Sequence, residues 1–81
     1  MEFEKVRQII MDELHLKEEE ITLDTNLSED LGVDSLDLYQ VILNIQDEFG
    51  VEFPDEIFEG DSMKTVRDCV EALKTELAKK A

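Results

Sequence analysis

The chain has 81 residues, 42% of them apolar and 37% charged, and 22 acids against 8 Lys and Arg give a formal net charge of -14. That composition is too apolar for a disordered tail, and the charge opposes binding to nucleic acid or to an anionic membrane through phosphate contacts. A single domain of this size, residues 1–81, buries roughly 60% of the surface its unfolded chain exposes, which leaves little room for an elaborate catalytic cleft.

The charge is unevenly spread. Between Glu18 and Met63 there are fifteen acidic residues and no Lys, Arg or His, so a partner for this stretch is expected to be basic. Met1 to Glu4 has neither the basic start nor the apolar run of a secretory signal, and no later run reaches transmembrane length. A lone Cys69 agrees with a reducing compartment. The expectation is a cytoplasmic protein without stable membrane insertion, kept monomeric by like-charge repulsion.

Phe3, Val6, Ile10 and Leu14 recur at helical spacing, with Ile9 widening the stripe, and predict a first amphipathic helix from about residue 3 to 14. His15 falls at its exit. From there to Asp34 no period persists, but Ile21, Leu23, Leu27 and Leu31 predict a long loop pinned to the core by aliphatic side chains. Gly32 loosens the backbone ahead of Asp34 and Ser35, both capping types, and Asp37 adds a negative charge to the first turn of a second helix. That helix runs to Phe49, with Gly50 as its stop.

Pro54 opens a short acidic helical turn through Ile57 and Phe58, closed by Gly60. Thr65 and Asp68 read as a capping box for a last helix whose stripe is Val66, Val70, Leu73 and Leu77. Val51 to Phe53 could be a stub of strand, but it has no evident partner. The predicted fold is therefore all-α, with three long helices and one short helix.

The second helix carries more apolar surface than a core requires. At about 100° per residue, Leu38, Val41, Ile42, Ile45 and Phe49 gather on one side. Leu36, Tyr39 and Leu43 fall opposite, beside Gln40, Gln46 and Asp47, where a helix in so small a domain meets water. A row of apolar residues set among carboxylates suits docking into a basic groove, with charge steering the encounter and apolar area holding it.

The run Glu29-Asp30-Leu31-Gly32-Val33-Asp34-Ser35-Leu36-Asp37 closely resembles the attachment site of acyl carrier proteins, whose core signature is Asp-Ser-Leu at the start of the second helix. Asp47-Glu48-Phe49-Gly50, Phe53-Pro54-Asp55-Glu56 and Thr65-Val66 follow the family pattern too, so the resemblance spans essentially the whole chain. It implies a four-helix bundle in which the Ser35 oxygen bears 4'-phosphopantetheine, derived from coenzyme A, through a phosphodiester. A helix start suits a phosphate because it presents free N–H groups and the positive end of the dipole.

The resemblance further implies docking at Asp34, Asp37, Asp47 and Glu48 beside Leu36, Tyr39 and Leu43. Its implied partners are a phosphopantetheinyl transferase (holo-carrier synthase), malonyl transferase, ketoacyl synthases, ketoacyl reductase, dehydratase and enoyl reductase of fatty acid biosynthesis. Leu31, Ile42, Ile45 and Ile57 are candidates for lining the space that shelters an acyl chain. Gln40 and Gln46 depart from the pattern, since bacterial fatty acid carriers often have Glu there. A specialised carrier for a polyketide, peptide or D-alanine pathway is the alternative within the family. Outside it stands an unmodified acidic interaction module in which Ser35 is a cap.

An enzyme reading needs a base to activate Ser35, and His15, the single histidine, lies in a distant segment of the sequence. Cys69 reads as a small buried residue of the last helix. A calcium loop at Asp24, Asn26 and Ser28 fails because Glu29 and Ser35 occupy the positions that need Gly and Glu. No catalytic residue and no specific metal site are expected, although dispersed carboxylates can hold divalent ions weakly.

Overall fold

A computed structural model describes residues 2–58 and 63–80. It contains three α-helices, α1 (Glu2–Leu14), α2 (Ser35–Phe49) and α3 (Val66–Lys80), with α1 packed against both of the others. The core is one cluster in which Val6 and Ile10 of α1 meet Val41, Ile42 and Ile45 of α2 and Val66, Cys69, Val70 and Leu73 of α3. Those positions follow the helical spacing, so each helix buries one stripe and leaves its charged face to water.

Each helix end has a local cause. α1 stops at His15, whose φ of 57° is left-handed, and the Leu16 N–H reaches back to the Met11 carbonyl at 3.2 Å. Gly50 ends α2 in the same conformation (φ 64°), donating to the Gln46 carbonyl at 2.8 Å. At the start of α3, the Asp68 carboxylate accepts the Thr65 N–H at 3.0 Å while the Thr65 hydroxyl accepts the Asp68 N–H at 3.2 Å. This is the reciprocal capping box that the sequence predicts.

The connection from His15 to Asp34 is more ordered than its lack of period suggests. Glu18–Glu20 forms a 3-10 turn, and Ile21 and Leu27 are buried in the core. Its backbone is clasped to α3: the Val66 and Arg67 N–H groups donate to the Thr25 and Leu23 carbonyls at 3.1 and 2.9 Å, and the Leu27 N–H to the Lys64 carbonyl at 2.8 Å. An isolated antiparallel bridge pairs Asn26 with Thr65. Free N–H groups at a helix start must find acceptors, and here the loop supplies them.

The expected short fourth helix is only partly present. Asp55–Phe58 forms a single 3-10 turn with the Ile57 N–H on the Pro54 carbonyl at 3.2 Å, because four residues cannot build an i to i-4 ladder. Gly60, its expected stop, lies outside the described residues. Val51 to Phe53 forms no strand, and Val51 and Phe53 are buried.

Candidate functional site

Asp34, not Ser35, caps α2. Gly32 takes φ 69°, a left-handed turn that a side chain would strain, and buried Val33 donates its N–H to the Leu27 carbonyl at 2.9 Å. The chain then enters α2 through Asp34, which is extended (φ -96°, ψ -176°) and accepts the Asp37 N–H at 2.9 Å. Ser35 follows as the first helical residue. It is exposed, and among the described residues nothing hydrogen-bonds its hydroxyl.

A groove of about 560 Å³ opens beside Ser35. Leu36, Leu38, Tyr39 and Leu43 line it from α2, and Phe53 faces them from the segment after the helix. Its polar lining besides Ser35 is Gln46 and Asp55. A smaller hollow of about 300 Å³ lies next to Ser35 as well, lined by Leu27, Val33, Leu38 and Met63 among others. The hydroxyl thus stands at the mouth of a largely apolar groove and of a second hollow that Ser28 and Asp34 make as polar as it is apolar, with Leu38 common to both.

A family profile described as "Phosphopantetheine attachment site" matches residues 4–73. A protein of Treponema denticola named "Acyl carrier protein" is 36% identical over 74 residues, covering 91% of this chain and 92% of that protein. The chain belongs to the acyl carrier protein family.

Acyl carriers of this family hold covalently attached 4'-phosphopantetheine and are carriers rather than catalysts. The start of α2 fits such a group. An unbonded hydroxyl is accessible there, and although Asp34 takes the Asp37 N–H, the Ser35 and Leu36 N–H groups have no acceptor among the described residues and are left to a phosphate. Among the described residues no helix is long and apolar enough to cross a membrane.

The docking candidates of this carrier divide between two places. Asp34, Leu36, Asp37, Tyr39 and Leu43 lie along the first half of α2, with Leu36 80% exposed, Tyr39 50% exposed and Leu43 half-buried. Asp47 and Glu48 lie instead in an acidic cleft of about 360 Å³ lined also by Ile9, Asp12, Glu13 and Asn44, where Glu48 pairs with Lys5 at 3.2 Å. The acyl-shelter candidates are core residues. Ile42 and Ile45 are fully buried, Leu31 and Ile57 are partly buried against the core cluster, and none of the four lines either recess at Ser35.

Both glutamines that depart from the family pattern are engaged. Gln40 donates to Asn44 Oδ1 at 3.1 Å, and Asn44 donates to Glu13 of α1 at 2.9 Å. Gln46 Oε1 accepts the Phe53 N–H at 2.9 Å, which holds Phe53 against the groove. Sequence reasoning missed Phe53, Leu38 and Asp55 as groove residues. The signal lay in Phe53-Pro54-Asp55, whose proximity to Ser35 depends on the chain folding back along α2.

Among the described residues, neither His15 nor Cys69 is placed to act at Ser35. His15 lines neither recess beside Ser35. Burial, with the Asp68 charge adding to it, pushes the Cys69 thiol up to about 12, so it stays protonated and inert at neutral pH. Asn26 and Asp30 hydrogen-bond within their own loop, and Asp24 pairs with Arg67 at 2.8 Å.

Proposed function

We propose that Ser35 is the phosphopantetheine attachment site and that this chain, a single carrier domain over residues 1–81, carries growing acyl chains in fatty acid biosynthesis. The carrying observation is the pairing at the start of α2: an accessible serine hydroxyl, relieved of capping by Asp34, beside a groove walled by Leu36, Leu38, Leu43 and Phe53. When bound, the group supplies a thiol that holds the acyl chain as a thioester.

The residues of the chain do the rest. Ser35 Oγ forms the phosphodiester as the pyrophosphate bond of coenzyme A breaks and adenosine 3',5'-bisphosphate leaves, and the serine proton goes to a base of the phosphopantetheinyl transferase, since among the described residues none is hydrogen-bonded to it. Leu38, Leu43 and Phe53 exclude water from the carried chain. Leu31, Ile42, Ile45 and Ile57 supply the rotamer freedom for longer chains to press into the core. Leu36 and Tyr39, ringed by Asp34 and Asp37, dock basic partners, with Asp47 and Glu48 extending the field that steers them. Those partners are the transferase and then the malonyl transferase, condensing, reducing and dehydrating enzymes, and the working compartment is the cytoplasm. An apolar groove suits an alkyl chain better than a D-alanyl or peptidyl cargo.

Intact mass after incubation with coenzyme A and a phosphopantetheinyl transferase tests the attachment. One phosphopantetheine adduct is expected on the native chain and none on Ser35→Ala. A folded protein that gains no adduct from an active transferase would return Ser35 to an unmodified interaction module. Turnover of the malonyl-loaded carrier by condensing and reducing enzymes of fatty acid synthesis then tests the pathway.

A further inference from the structure

Gln46 ties residues 50–53 back onto α2. Its main-chain carbonyl accepts the N–H groups of Gly50 and Val51 at 2.8 and 3.2 Å, and its side chain accepts that of Phe53 at 2.9 Å. The last of these contacts settles which way the amide faces. A backbone N–H can only donate, so the atom that meets it must be Oε1, and the Nε2 group is turned away from it.

That Nε2 group has two hydrogens to donate, and among the described residues no acceptor takes them. Gln46 lines the groove beside Ser35, where the wall is Leu43, Phe53 and other mostly apolar side chains, with Asp55 the one carboxylate of the lining. Gln46 is half-buried, so water reaches this donor in the open groove; a guest that covers it with an oxygen replaces the hydrogen bond lost from water, and one that covers it with methylenes does not. Glutamate at this position would still accept the Phe53 N–H but would present a second acceptor in place of the donor. The difference between Gln and Glu is therefore a difference in what the groove can recognise.

We propose that Gln46 is a specificity-determining residue: its Nε2–H donates to an acceptor oxygen on the lodged chain, so that the groove holds a β-oxoacyl chain more firmly than a saturated one of equal length. This rests on the reading of Ser35 as the attachment site. The backbone clamp and the donor belong to one side chain, so the segment that positions Phe53 against the guest is held by the residue that reads its oxygen.

The test uses isotopically labelled full-length chain loaded with octanoyl or β-oxooctanoyl arms, with intact mass first confirming a single arm on Ser35. Failure to load overturns the attachment reading, whereas everything below concerns Gln46 alone. The Gln46 side-chain amide signals are expected to move downfield and exchange more slowly with the β-oxooctanoyl chain than with octanoyl. Gln46→Glu, which keeps an acceptor for the Phe53 N–H, is expected to speed hydrolysis of the β-oxooctanoyl thioester about fivefold more than that of octanoyl, the worth of one neutral hydrogen bond. Unaltered backbone signals at Phe53 in Gln46→Glu show that the clamp survives. Equal Gln46 amide signals with both chains, or equal acceleration for both in the variant, would overturn the proposal.

Discussion

Asp34 and Ser35 are both residue types that cap helices, and here Asp34 holds the cap while Ser35 keeps its hydroxyl free. The difference is one residue of register. Asp34→Ala is expected to lower stability by about 1 kcal/mol, as the Asp37 N–H loses its acceptor. Ser35→Ala should change it by no more than a few tenths, roughly the scale of surface substitutions. Urea denaturation of the two variants checks this, and a larger loss at Ser35 would assign the cap to the wrong residue.

Cys69 gives a second prediction at this scale. An ordinary thiol titrates near 9.0, but this one is pushed up to about 12. Between those values the unfolded chain releases a proton that the folded chain retains. Its contribution to stability is therefore complete below the lower value and falls as pH rises toward the upper, by about 1.4 kcal/mol per unit. Unfolding free energies at about pH 8 and about pH 10 should differ more in the parent than in Cys69→Ala, where this titration is absent. Equal differences would show that the thiol is not protected in the folded state.

Among the elements, α3 depends most on what precedes it. Its first N–H groups are met by the Thr25 and Leu23 carbonyls and by the Thr65 hydroxyl, and the Asp68 carboxylate also accepts from Lys64 and Thr65. Asp68→Ala is expected to cost about 1–2 kcal/mol. Because the same turn carries the Asn26 to Thr65 bridge, the loss should appear as faster amide hydrogen exchange at Leu27 and Val66 as well as in the denaturation midpoint. Loss confined to Thr65 would mean that loop and helix are held independently. The capping box was legible from Thr65 and Asp68, whereas the clasp was not, because its bonds are made by backbone groups that any residue carries.

Across the whole molecule, cations from the chain ends reach into the stretch that has none of its own. Arg7 meets Glu18 at 3.0 Å, Arg67 meets Asp24 at 2.8 Å, and Lys5 meets Glu48 at 3.2 Å. The Lys5 and Arg67 pairs are exposed, Arg7 is partly covered, and the three together offset little of a net charge of -14. Added sodium chloride should therefore raise Tm by screening the repulsion. Magnesium chloride at matched ionic strength should raise it further by joining neighbouring carboxylates. A fall in Tm with sodium chloride would show that the ion pairs outweigh the repulsion.

Helical stripes, helix stops and the Asp-Ser-Leu run depend on residues close in the chain, and for that reason the sequence by itself determined the three helices, most of their core faces and the candidate serine. Tertiary structure decided which residues surround that serine. Phe53, Gln46 and Asp55 line its groove because Gly50 turns the chain back and Gln46 clamps it. It also set Asp47 and Glu48 apart from the serine's groove, in the cleft beside α1, and kept Ile42 and Ile45 in the core. Periodicity assigns a residue to a face of its own helix; what that face meets depends on where distant segments pack.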